Sequence, residues 1–136
     1  MPIVTQNDPD KQLTIHEVHG SPSFEEGMEV FKLFYEKHPT KHLLWDLRNA
    51  NLHHLSSKDL EAYVNYAKWH SEARAGGKTA FVVSKDLEYG MLRMVDAFSE
   101  FAKIPFKIMI FRSMDEAIRW LDETEVGSCF SLNQGG

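Results

Sequence analysis

The sequence is poor in the features that name a reaction. It holds one cysteine, Cys129, so no internal disulfide can form, which suits a reducing compartment and leads us to expect a cytoplasmic protein. A basic excess is lacking: the net charge is -5, which gives no general attraction to nucleic acid or to an anionic membrane. No apolar run approaches the length needed to cross a bilayer, so no membrane insertion is expected. The start, MPIVTQNDPDK, has no basic segment followed by an apolar block and does not read as a signal peptide. Neither an internal repeat nor a low-complexity segment is present.

Catalytic and metal signatures are missing too. There is no His-Glu-x-x-His and no Cys-His cluster, so no metal and no cofactor are expected. The histidines are scattered: His16 and His19 fall on opposite faces of a strand, and adjacent His53 and His54 cannot aim both rings at one point from an extended loop. No Gly-x-Ser-x-Gly elbow or phosphate loop occurs, and Cys129 with a distant histidine makes no catalytic pair. With no activated nucleophile and no supported acid-base pair, the expectation is a protein that is not an enzyme.

What is present is well patterned. Hydrophobic residues make up 43% and charged residues 26% of 136 residues, the balance of one ordinary domain able to bury its own core. Ile3 to Gln6, the turn Asn7-Asp8-Pro9-Asp10 and the alternating run Leu13 to Val18 read as a hairpin. Ser23 with Glu26 is a capping box that opens a helix whose Phe24, Met28, Phe31 and Phe34 repeat at helical spacing, and Pro39 marks its end. His42 to Leu47 is a strand with almost no polar face, so it belongs in the sheet's interior. Ser56 or Ser57 caps a long helix reaching about Ala75, where Gly76-Gly77 stops it. Thr79 to Val83 is a further strand, followed by a helix to about Ala102. Phe106 to Phe111 is the last strand, and Ser113 with Glu116 opens the last helix on a second capping box. The order ββαβαβαβα requires an α/β fold with a largely parallel sheet covered by helices. Residues 1–123 form the domain, and the tail 124–136 is expected to dock through Phe130 and Leu132.

This order, a strand ending in Asp46, the serine pair at the next helix start and the closing stretch FKIMIFRSMDEAIRWL resemble the SpoIIAA-like, or STAS, family, in particular its small stand-alone bacterial members. The resemblance covers roughly residues 2–122. It implies regulation through protein-protein contact. In the family's anti-sigma-factor antagonists a serine at this helix start is phosphorylated by a partner kinase, and the matching positions are Ser56 and Ser57. The chain has His54-Leu55-Ser56-Ser57-Lys58 where family regulators carry Asp-Ser-Ser-Gly. Related domains are also thought to hold small apolar ligands.

Four candidate sites follow. Ser56 and Ser57 read first as helix caps, and a phosphate there would meet free amides, so a switch can coexist with a cap. The strand-end loops carry Asp46, Arg48, Asn49, Lys85 and Arg112, a set that would suit an anion or an acidic partner loop; the alternative is solvated loops with Asp46 paired to Arg48. Ala62, Tyr66, Trp69 and Ala73 fall on a line nearly opposite the buried stripe of their helix, which suggests an interface unless another part of the chain covers it. Met91, Met94, Phe98 and Phe101 would line an apolar pocket or simply fill the core. The leading expectation is a non-catalytic regulatory or scaffolding domain acting on a protein partner or as a homodimer. The alternative is a carrier of a small apolar or lipid-like ligand in a Met/Phe-lined cavity.

Overall fold

Two short polar segments set the boundaries of the first half of the fold. The computed structural model describes residues 2–123. The tail, with the expected docking residues Phe130 and Leu132 and with Cys129, lies outside the described residues. Strands β1 (Ile3–Asp8) and β2 (Leu13–Gly20) pair antiparallel through a tight 3-10 turn, Pro9–Lys11. The Asp8 side chain accepts the Lys11 amide, and Gln12 takes the left-handed conformation that closes the turn. Ser23 then starts α1 (Phe24–Lys37): its hydroxyl accepts the Glu26 amide at 3.0 Å, and the Glu26 carboxylate accepts the Ser23 amide at 2.8 Å.

The remaining elements are β3 (His42–Ala50), α2 (Ser57–His70), β4 (Lys78–Val82), α3 (Asp86–Ala102), β5 (Lys107–Phe111) and α4 (Met114–Asp122). The five strands lie in the order β1-β2-β3-β4-β5, with β2 to β5 all parallel. Each new parallel strand is added on the same side of the last. Right-handed crossovers therefore put α1, α2 and α3 on one face of the sheet, and α4 packs on the other against β3, β4 and β5. Side chains along β3 alternate between the two layers: Leu43, Trp45 and Leu47 face the three helices, and Leu44 meets Ala117 and Leu121 of α4.

Three boundaries differ from the sequence reading. β3 runs on to Ala50, so Asp46, Arg48 and Asn49 sit on a strand and not in a loop. The pairing of His19 with Asn49 and Gly20 with Ala50, after a register shift past Glu17, carries the ladder that far. α2 ends at His70 and not near Ala75, because the chain turns down through a second 3-10 segment, Glu72–Arg74, that buries the Arg74 side chain. Gly77 is needed just beyond it: a Cβ there would collide with the Lys41 carbonyl oxygen. At α4, the Ser113 hydroxyl accepts the Glu116 amide at 3.2 Å, whereas the reciprocal bond of a full capping box is absent.

Candidate functional site

The layer between the sheet and the three helices is not completely filled. α2 meets the sheet through Leu60, Val64 and Ala67, of which the last two are small. Beneath them stand Trp45 of β3 and Phe81 of β4, with Leu92 of α3 alongside. The gap left is a cavity of about 130 Å³, lined almost wholly by carbon. An enclosed apolar space of roughly 150 Å³ in another protein stays dry and admits benzene; this one is similar in volume and partly open.

The cavity has two unlike ends. Near α1 stand Pro22, Ser23 and Tyr63, and Tyr63 donates to the Phe24 carbonyl at 2.9 Å. Burial pushes its phenol above the ordinary tyrosine range. Gly27 makes room for this crossing, since a Cβ there would overlap the Tyr63 hydroxyl. At the opposite end, where β3 and β4 begin, Arg74 and Thr79 line the cavity. Arg74 is 1% exposed. Its Nε donates to the Thr40 and Lys41 carbonyls at 3.2 and 3.3 Å, Nη1 to Tyr35 Oη at 3.2 Å, and Nη2 to the Lys78 carbonyl at 3.0 Å and Thr79 Oγ1 at 2.7 Å. Phe106 lies 4.1 Å from the guanidinium carbon. Among the described residues no carboxylate forms an ion pair with it.

The proposed pocket residues lie elsewhere. Met94 is 40% and Phe101 91% exposed, while Met91 and Phe98 are half-buried at the margin of the core; none of the four lines the cavity. α3 instead points Leu92, Val95 and Ser99 inward. Its apolar arc is wider than one buried face, and Leu87, Met94 and Phe101, seven residues apart, fall on the outer part of that arc.

The aromatic line on α2 is broken. Tyr66 packs beside Phe31 and Tyr35 at 5.9 and 6.0 Å and stacks on His70 at 3.9 Å, so α1 partly covers it. Trp69 is 77% exposed, Ala62 is half-buried, and Ala73 falls in the 3-10 turn beyond the helix. Ser56 is the N-cap of α2 in a complete capping box with Asp59, and Ser57 is the first helical residue; both are exposed.

At the carboxyl ends of the strands both arginines are paired with carboxylates. Arg48 grips Asp46 through two bonds of 2.9 Å, which holds that carboxyl below the usual range. Arg112 pairs with Asp86 at 2.7 Å, Lys85 donates to Asn51, and Asn49 is exposed. The strand order never reverses, so the crevice that receives ligands in doubly wound sheets does not form here. Among the described residues, no group of three His, Cys, Asp or Glu is placed to hold a metal, and no helix is long and apolar enough to cross a membrane.

Sequence reasoning missed Arg74, Thr79, Tyr63 and Leu92. A signal for Arg74 was present: it continues the buried series Leu60, Val64, Ala67, Ser71 at spacings of three and four.

No family model matches the sequence. No match is found among curated proteins. Among solved structures, the chain is similar to an uncharacterized protein of the DUF3478 family from Shewanella loihica PV-4, described as having a SpoIIAA-like fold. The TM-score is 0.54 at 18% identity, over 88% of this chain and 91% of that one. The chain therefore has a SpoIIAA-like fold.

Proposed function

We propose that this protein is a non-catalytic binding domain that holds a small apolar or lipid-like molecule between its sheet and its three-helix layer. The observation that carries the reading is the cavity of about 130 Å³ with a carbon lining. Leaving such a space empty costs packing energy that natural cores usually avoid, and a ligand would recover it. The alternative expectation of a carrier is thereby preferred, with Val64, Ala67, Leu92 and Trp45 in place of the Met/Phe set. The single cysteine and acidic balance fit a cytoplasmic setting. Native mass spectrometry of protein purified from its own source tests the reading: a retained small molecule supports it. Bare protein that also fails to saturate with short alkyl probes contradicts it.

A second reading, a regulatory domain acting through a protein partner or as a homodimer, is favoured by the exposed side chains Leu87, Met94 and Phe101 along α3 together with Trp69. A phosphoryl group on Ser56 or Ser57 would then act beside the first amides of α2. Sedimentation of wild type and Phe101→Glu at high concentration separates the two: a dimer weakened by the substitution supports the regulatory reading, and a monomer in both cases removes its homodimer form.

A further inference from the structure

The cavity is apolar along most of its length, yet a buried cation stands at one end of it. A guanidinium taken out of water requires either a counter-charge or a full set of acceptors. Arg74 has five donor hydrogens. Its contacts with Thr40, Lys41, Tyr35, Lys78 and Thr79 use the Nε hydrogen, one on Nη1 and both on Nη2. Among the described residues, one Nη1 hydrogen is left over and every acceptor is neutral. Among the described residues no carboxylate pairs with it. Burial, with the cations Lys78, Lys41 and Arg74, holds His42 below the ordinary histidine range, and one acid, Asp122, acts the other way. That acid lies 3.5 Å from Lys11. Lys78 itself is taken up by the Trp120 and Glu123 carbonyls at 2.6 and 2.8 Å. Ser71, fully buried one turn before Arg74, has a hydroxyl with no partner among the described residues.

We infer that the ligand is a small amphiphile with an apolar body and an anionic head, most simply a carboxylate, and that Arg74 receives the head. The inference rests on the apolar-cavity reading and goes beyond it by giving the ligand a charge and a direction. The body lies against Val64, Leu92 and Trp45, and the head lies at the starts of β3 and β4 beside Thr79. Guanidinium is suited to this role because its fork matches a carboxylate and its charge survives burial. The cavity's size limits the body to about six heavy atoms, by comparison with the benzene-binding cavity.

The test uses three probes of equal length, hexanoate, 1-hexanol and hexylamine, titrated into the full chain by calorimetry with the Arg74 Nε–H resonance followed by NMR. Hexanoate is expected to bind at least about tenfold tighter than 1-hexanol, the scale of a charge-assisted hydrogen bond, and to move the Arg74 resonance. Hexylamine is expected to bind more weakly than either. If 1-hexanol binds as tightly as hexanoate, the cavity reading stands and the head-group assignment is overturned. If none of the three saturates, both fall. Arg74→Gln and Arg74→Lys are the matching variants: the first should bring hexanoate down to the level of 1-hexanol, and the second should retain part of the preference. Should Arg74→Gln fail to fold, the wild-type probe series decides the matter alone.

Discussion

At the carboxyl ends of the parallel strands, Arg48 faces Asp46 and Arg112 faces Asp86. At their amino ends, Arg74 faces carbonyls, hydroxyls and rings. The first pairs each guanidinium with a carboxylate; the second offers only neutral acceptors and, among the described residues, leaves one donor hydrogen over. The Arg112–Asp86 pair is exposed and sits in high dielectric, where it contributes little and is screened by salt, whereas Asp46, the partner of Arg48, is 4% exposed and depends on its pairing. The buried arginine sits in low dielectric, where its contacts are strong and removal of either side is costly. The difference bears on the proposed site: Arg48 and Arg112 already face carboxylates, whereas Arg74 has no carboxylate partner among the described residues and an apolar space beside it.

The contrast can be broken most sharply at Arg74. Arg74→Leu leaves the Thr40, Lys41 and Lys78 carbonyls without their donor in the interior, and should cost about 3 to 5 kcal/mol in urea unfolding. Arg112→Leu at the opposite edge, where the partner Asp86 is exposed, should cost less than about 1 kcal/mol. Comparable losses at the two edges would erase the distinction.

Acid should act between the edges, at His16. This ring is 1% exposed, packed between Phe34 and Trp45, with Nδ1 on Thr5 Oγ1 and no partner for Nε2. Burial pulls its pKa from 6.5 to about 4. The folded pKa is depressed, so the unfolded chain takes up the proton first as pH falls. The contribution of this ring is complete above about pH 6.5 and is lost between there and about pH 4, on the order of 3 kcal/mol. Urea midpoints measured against pH check this, and His16→Phe should remove most of the slope in that window.

Smaller effects sharpen the picture at the carboxyl edge. Glu88, 1% exposed, accepts the Leu52 amide at 2.9 Å and so ties α3 to the segment after β3. Glu88→Ala should cost about 1 to 3 kcal/mol by orphaning that amide, read from thermal unfolding. Smaller still, Ser56→Ala should cost about 1 kcal/mol through loss of the α2 cap, whereas Ser57→Ala should leave stability within about 0.5 kcal/mol. Equal effects at the two serines would contradict the assignment of Ser56 as the cap.

The layered fold was legible because it depends on period and punctuation. Ser23, the serine pair at 56 and 57, Pro39 and the apolar run of β3 act locally, so a one-dimensional reading captures them. The site was less legible because it depends on how wide an apolar arc is and which part of it turns inward. On α3, Met94 and Leu92 both belong to the arc, and only packing against β4 and β5 decides that Leu92 faces the cavity. On α2, Tyr66 looked unpartnered until α1 placed Phe31 and Tyr35 beside it. Arg74 was hidden by its type: a charged residue near two glycines reads as a solvated helix end, although its spacing continues the buried stripe.

The most direct test of the account is whether a small apolar molecule enters between α2 and the sheet. In methyl-labelled protein titrated with 1-hexanol, saturable shifts are expected at Val64, Leu92 and Ile108, which line the cavity, with Leu87 and Met94 on the outer face of α3 unmoved. Shifts confined to Leu87 and Met94, or no saturation at any methyl, would contradict it.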